Sequence, residues 1–156
     1  MVITRPFADD PDPHGVSLVS SAGFSTLWAT QLQGLIPHAV AFHPDGDRVY
    51  TVATGDGFSW LVVLDGATGE VSRRFLIEPH STGPLQAVAN PVASSMDGRW
   101  IGFATDERGV YFINTESDLP LLRLDIPCCI MNIAASPVRN VFYVTTGATV
   151  VEVGIE

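Results

Sequence analysis

Short apolar runs separated by turn residues fill most of this chain, and the pattern is clearest between His38 and Ile77. His38–Phe42, Arg48–Thr54, Trp60–Asp65 and Val71–Ile77 each have the length and the Val, Ile, Phe and Tyr content of a β-strand. The breaks between them carry turn chemistry. Pro44-Asp45-Gly46 supplies a preset angle and a residue that accepts positive φ, and Gly66–Gly69 does similar work. Gly55-Asp56-Gly57 reads as a flexible hairpin loop. Arg48–Thr54 does not alternate cleanly, as suits a strand covered on both faces.

The four-strand pattern recurs. After Gly83-Pro84 come Leu85–Ala89, the turn Met96-Asp97-Gly98, Trp100–Thr105, Val110–Asn114, the turn Glu116-Ser117-Asp118, and Leu119–Ile126. Pro120 in the last run suits an outer edge, where no ladder donor is missed. A third unit runs through Ile130–Ala135, Ser136–Asn140, Val141–Thr146, Gly147-Ala148 and Thr149–Ile155, one strand short. Upstream, Val16–Ser20 and Phe24–Leu32 flank Ser21-Ala22-Gly23 as a hairpin. Residues 1–15 are rich in Pro and Asp without periodicity, which predicts a disordered or extended N-terminal arm. The domain that follows spans 16–156: a partial unit 16–35, units 36–78 and 84–127, and a partial unit 128–156.

Thr54, Thr105 and Thr146 each close the second strand of a unit, at steps of 51 and 41 residues. A period near forty with four strands is that of a propeller blade. A β-sandwich with similar hairpins is the competing fold, but three turns in register favour the repeat. The expected fold class is therefore all-β, with propeller-like four-stranded antiparallel blades, about three in number. A ring ordinarily takes between four and eight blades. Either the N-terminal strand completes the last blade in a very small ring, or the chain is an open arc closed by a partner chain. Open edges and apolar blade faces predict association with itself or within a larger assembly.

Composition narrows the function classes. The 156 residues are 46% hydrophobic and 16% charged, with net charge −9. That balance speaks against a nucleic-acid surface and against an anionic membrane surface. No run approaches the length of a membrane span, and Met1–Gly15 has no signal-peptide core. Adjacent Cys128 and Cys129 point to opposite faces of a strand and read as buried free thiols. Reduced thiols suit a cytoplasmic or otherwise intracellular setting.

Candidate chemistry is sparse. His14, His38, His43 and His80 form no close-spaced ligand pair. Asp9, Asp10 and Asp12 are interrupted by Pro11 and Pro13, against a calcium loop. Gly55-Asp56-Gly57 lacks the helix and lysine of a phosphate cradle, and Ser25, Ser94 and Ser95 lack a nucleophile-elbow setting. No catalytic residue, metal ligand or cofactor is expected. Trp28, Trp60 and Trp100 sit in strands and are expected to pack between blades. Phe58 stands beside Asp56 in a loop on the face that also carries Asp106, Glu107 and Arg108. An aromatic among charges on one face of a repeat array is a candidate partner-binding surface.

The stretch Phe42–Val71 resembles the repeat of β-propellers of the YVTN type: a Pro-x-Gly turn, then Tyr50-Thr51-Val52, then Leu64-Asp65-Gly66-Ala67-Thr68-Gly69. Tyr143-Val144-Thr145 carries the same signature near the C-terminus. The frame is also similar to WD repeats, with His38 near their Gly-His position and Phe42–Gly46 like their Phe-Ser-Pro-Asp-Gly turn. Trp-Asp itself is replaced by Leu64-Asp65, Ile113-Asn114 and Val153-Gly154. The resemblance covers about residues 36–154 and implies a non-enzymatic scaffold or interaction module that binds protein partners. The alternative it implies is a split or truncated propeller enzyme of lactonase or quinone-dependent dehydrogenase type.

Overall fold

The structure, a computed structural model, describes residues 2–6, 14–79, 91–104, 109–117, 122–126 and 130–155. All regular structure among them is β: fourteen strands in four antiparallel sheets. The first sheet holds β1 (Val2–Pro6), β2 (His14–Val19) and β3 (Thr26–Gln31). The second holds β4 (Ile36–Phe42), β5 (Arg48–Gly55), β6 (Phe58–Asp65) and β7 (Val71–Pro79). The third holds β8 (Val92–Ser94), β9 (Trp100–Ala104), β10 (Gly109–Asn114) and β11 (Leu122–Asp125). The fourth holds β12 (Ile130–Ala135), β13 (Val141–Thr146) and β14 (Val150–Gly154).

Period-two alternation explains how the sheets stack. Val49, Ala53, Val62 and Leu64 of the second sheet pack with Val16, Trp28, Leu32 and Leu35 beside the first. Their neighbours Tyr50, Val52, Leu61 and Val63 pack with Ile101, Phe103, Tyr111 and Ile113 of the third. The third sheet repeats the division, turning Ala104, Val110 and Phe112 toward Ile130, Ile133, Phe142 and Val144 of the fourth. A middle sheet is thus buried on both faces, and its strands read as almost continuous apolar runs. The innermost strands β1, β4, β8 and β12 are neighbours in succession, so the sheets fan around one line. Among the described residues the fan is an open arc.

Three features differ from the sequence reading. The stretch expected to be an arm carries β1, paired with β2 from Val2↔Leu18 to Pro6↔His14. The β-branched run Val2-Ile3-Thr4 favours that pairing, but at three residues it is hidden by the Pro- and Asp-rich stretch after it. The N-terminal strands accordingly build their own sheet at one end of the arc and do not complete the fourth. The first strand of the third sheet is Val92–Ser94 rather than Leu85–Ala89, which lies outside the described residues. Cys128, Cys129, His80, Asp9, Asp10 and Asp12 also lie outside them.

Chain order also distinguishes the two end sheets. β3 runs directly into β4, as the outer strand of a unit does, so the first sheet supplies the second to fourth strands of a unit. The fourth sheet supplies the first to third, and its outer edge is β14.

Candidate interaction surfaces

The turns at one end of the sheets share a frame. His43 N, Ser95 N and Ser136 N donate to the carbonyls of Arg48, Trp100 and Val141 at 2.9, 2.8 and 2.9 Å. Each first residue is buried while the turn beyond it is largely exposed. In the third sheet Ser95 Oγ donates to Asp97 Oδ1 at 2.7 Å and accepts from Trp100 N at 3.0 Å. In the second sheet His43 replaces serine. Arg48 Nη2 stands 3.1 Å from its Nε2, and Asp47 Oδ1 stands 3.0 Å from its Nδ1. A guanidinium has only donors, so Nε2 accepts and Nδ1–H donates to the carboxylate.

The same end ties sheet to sheet. Trp28 Nε1 donates to Gly66 O at 3.0 Å and Thr30 Oγ1 to Gly69 O at 2.6 Å, joining the first sheet to the second. The His43 ring lies against Gly98 of the third sheet. Asn140 Nδ2 donates to Asp97 Oδ2 at 2.7 Å, joining the fourth sheet to the third. Burial acts to raise the Asp97 carboxyl's pKa. The Ser95 hydroxyl, the Arg99 amide and charge, and Asn140 outweigh it and hold the group below the usual aspartate range. Asp65 is held low chiefly by the Thr68 amide, then by the Thr68 hydroxyl and the Ala67 amide. Asn114 accepts from Glu116 N and Ser117 N in the equivalent turn. Within the seam, burial pushes the Tyr50 phenol up to about 12, against the Arg48 charge and with that of Asp47.

The opposite end carries the candidate partner-binding residues. Asp56 and Gly57 have φ of +53° and +78°, the two positive angles of a type I′ turn, and Gly55 pairs with Phe58 across it. The connection is therefore a tight two-residue turn, not a flexible loop. Asp56 is exposed, whereas Phe58 is half-buried as the first residue of β6 and pairs with Pro79. Asp106, Glu107 and Arg108 lie outside the described residues, between β9 and β10. Of the expected cluster, the structure therefore places two members at one turn.

Trp28 is buried against the second sheet, Trp60 packs on the same seam, and Trp100 packs toward the fourth sheet. His38 Nε2 pairs with Thr54 Oγ1 at 2.8 Å. Among the described residues no three His, Cys, Asp or Glu side chains converge in a way that could hold a metal ion, and no helix is long and apolar enough to cross a membrane.

Four-stranded sheets stacked face to face about their first strands define the β-propeller class, and this chain has that fold as an open arc. Solved structures agree. TolB from Acinetobacter baumannii superposes with a TM-score of 0.67 at 15% identity, over 97% of this chain and 37% of that one. The Dos1 propeller gives 0.69 at 12% identity, over 98% and 39%. The dihydro-heme d1 dehydrogenase NirN, solved with DHE, gives 0.63 at 19% identity, over 99% and 32%. The chain thus spans well under half the length of these proteins. No family model and no curated protein matches its sequence.

Proposed function

We propose that this chain is a non-enzymatic propeller-type scaffold that works by association with protein partners or with itself. The observation that carries this reading is the apolar side chains left exposed on the two end sheets. Among the described residues each of these sheets has three strands where the middle sheets have four. Apolar side chains stand exposed on both: Phe24 and Leu27 on the first, Met131 and Val150 on the fourth. Exposed strand edges and apolar patches of this kind mark association surfaces. A net charge of −9 favours protein partners over nucleic acid. A repeat of YVTN or WD type, an intracellular setting and a binding role for the turn at Asp56 and Phe58, together with Asp106, Glu107 and Arg108, belong to the same reading.

Sedimentation velocity at micromolar concentration tests it. Association beyond the monomer, or co-purification in a defined complex, is expected; a monodisperse monomer without partners overturns it. Phe58→Ala is expected to weaken partner capture with little change in melting temperature, and a large drop in melting temperature instead removes Phe58 from the surface. The likeness to NirN supports a second reading, a split enzyme of lactonase or dehydrogenase type. Lactone hydrolysis or quinone-linked dye reduction by the purified chain would favour it.

A further inference from the structure

Two turns set the first and second seams in a common frame. Ser20 N donates to Ser25 O at 2.9 Å and Asp65 N to Glu70 O at 2.8 Å. Two residues upstream of each, Leu18 pairs with Trp28 and Val63 with Arg73. Arg73 thus holds in the second sheet the place of Trp28 in the first. Gly66 N and Thr115 N donate alike to Asp47 O and Arg99 O, so Thr115 holds in the third sheet the place of Gly66 in the second. At the first seam the Trp28 indole reaches Gly66 O. At the second, Arg73 and Thr115 instead line a cavity of about 30 Å³, with Tyr50, Phe75, Ile113 and Asn114 among its other walls.

One buried polar side chain belongs to this wall. Tyr50 is 2% exposed, and its hydroxyl has no hydrogen-bond partner among the described residues. Burial holds the phenol neutral at ordinary pH, so the group stands as an O–H donor. A buried hydroxyl left without an acceptor is costly, which calls for one in the cavity. Size limits what that acceptor is. About 30 Å³ is the share of one molecule in liquid water, and far below the roughly 300 Å³ of a pocket for an organic ligand. Thr115 Oγ1 donates its own proton to Gly98 O at 2.8 Å, which leaves its lone pairs as acceptors. The second sheet thus offers a donor and the third an acceptor, a pair that water bridges.

We propose that this cavity is a hydration site: one ordered water accepts from the Tyr50 hydroxyl and donates to Thr115 Oγ1, tying the second sheet to the third where Trp28 ties the first to the second. The tie lies within the chain, so it goes beyond the scaffold reading and stands or falls separately from it.

A high-resolution crystal structure of the full chain tests it, with magnetisation transfer from water to the Tyr50 ring protons by NMR as the measurement free of a lattice. Density for one water within hydrogen-bond distance of both Tyr50 Oη and Thr115 Oγ1 is expected, together with a transfer signal of the sign that a bound water gives. Tyr50→Phe is expected to abolish that density and to lower the melting temperature by about 2–4 °C, as loss of one satisfied hydrogen bond does in a chain of this size. An unchanged or higher melting temperature overturns the proposal, because deleting a hydroxyl that has no partner relieves a cost instead of adding one. So does a cavity without ordered density, or a hydroxyl bonded directly to a protein atom. Crystals grown in bromide separate water from an anion beside Arg73, since anomalous density at the site would mark a halide and refute the water. If Tyr50→Phe does not fold, the density and the transfer signal of the parent chain decide alone.

Discussion

At Gly98 the backbone has φ +73°, and a Cβ there would run into the His43 ring of the neighbouring sheet. Two costs coincide: a left-handed conformation, worth about 1–2 kcal/mol for an ordinary residue, and a contact that a buried ring cannot readily yield. Gly98→Ala is therefore expected to destabilise by more than about 2 kcal/mol in urea or thermal unfolding. The same substitution at Gly23, which meets nothing within 4 Å and has no positive φ, is expected to cost little. Phe24 presents the reverse case. Its φ is +51° although it is not glycine, and its side chain is 77% exposed. Replacing it with glycine removes about 1–2 kcal/mol of left-handed strain and adds back roughly 0.5–1 kcal/mol of unfolded-state entropy. The strain is the larger quantity, so Phe24→Gly should raise the melting temperature slightly. A fall would mean that Phe24 makes contacts worth more than its strain. Strain kept at an exposed aromatic fits a side chain retained for association.

At the scale of the strand and the turn, the ties between sheets that the described residues show lie at one end. Asp97 links two of these turns, through Ser95 and Arg99 in its own sheet and Asn140 in the next. Its folded-state pKa lies below the ordinary aspartate value of about 3.9, so its stabilising contribution is fully present above that pH. The contribution is lost as pH falls through the lowered value. For an exposed group after solvent screening, it amounts to about 1 kcal/mol or less. Asp97→Asn should lower stability at pH 7 and flatten the acid limb of the pH–stability curve below about pH 4. An unchanged acid limb in the variant would show that the tie carries no weight. The individual strands of the second sheet were legible because Pro44-Asp45-Gly46 and Gly66–Gly69 punctuate runs of strand length. The type I′ turn at Asp56-Gly57 was present in the same letters, and reading it as flexible overlooked that Asp-Gly is the preferred pair for such a turn. The ties were not legible. Trp28 and Gly66 are 38 residues apart and Asp97 and Asn140 43 apart, and which turns meet depends on how the sheets stack. The equivalence of Gly98 with Gly46 could have marked one position, but not the ring against it.

Among the described residues the molecule is an arc whose inner seams bury apolar side chains and whose two end sheets leave some exposed. Burial at each seam is nearly complete, with Val49, Val52, Leu61, Ile101, Ile133 and Phe142 at 0% exposure. Leu27 and Met131, on the end sheets, stand at 61% and 50%. The asymmetry separates folding from association in a measurable way. Substituting a seam residue costs folding stability, about 2–5 kcal/mol for Leu61→Ala. Substituting both Leu27 and Met131 by serine changes exposed positions, so folding stability should stay within about 0.5 kcal/mol per site. If the end faces drive assembly, the double variant should shift the sedimentation distribution toward the monomer, and partner capture should fall. The two measurements are independent, since thermal unfolding of a dilute sample reports the seams and sedimentation reports the ends. A double variant that still associates like the parent would remove the end faces from the interface. Association would then have to run through strand edges, to which these side chains contribute nothing. A double variant that unfolds would instead show that the end faces are covered within a single chain.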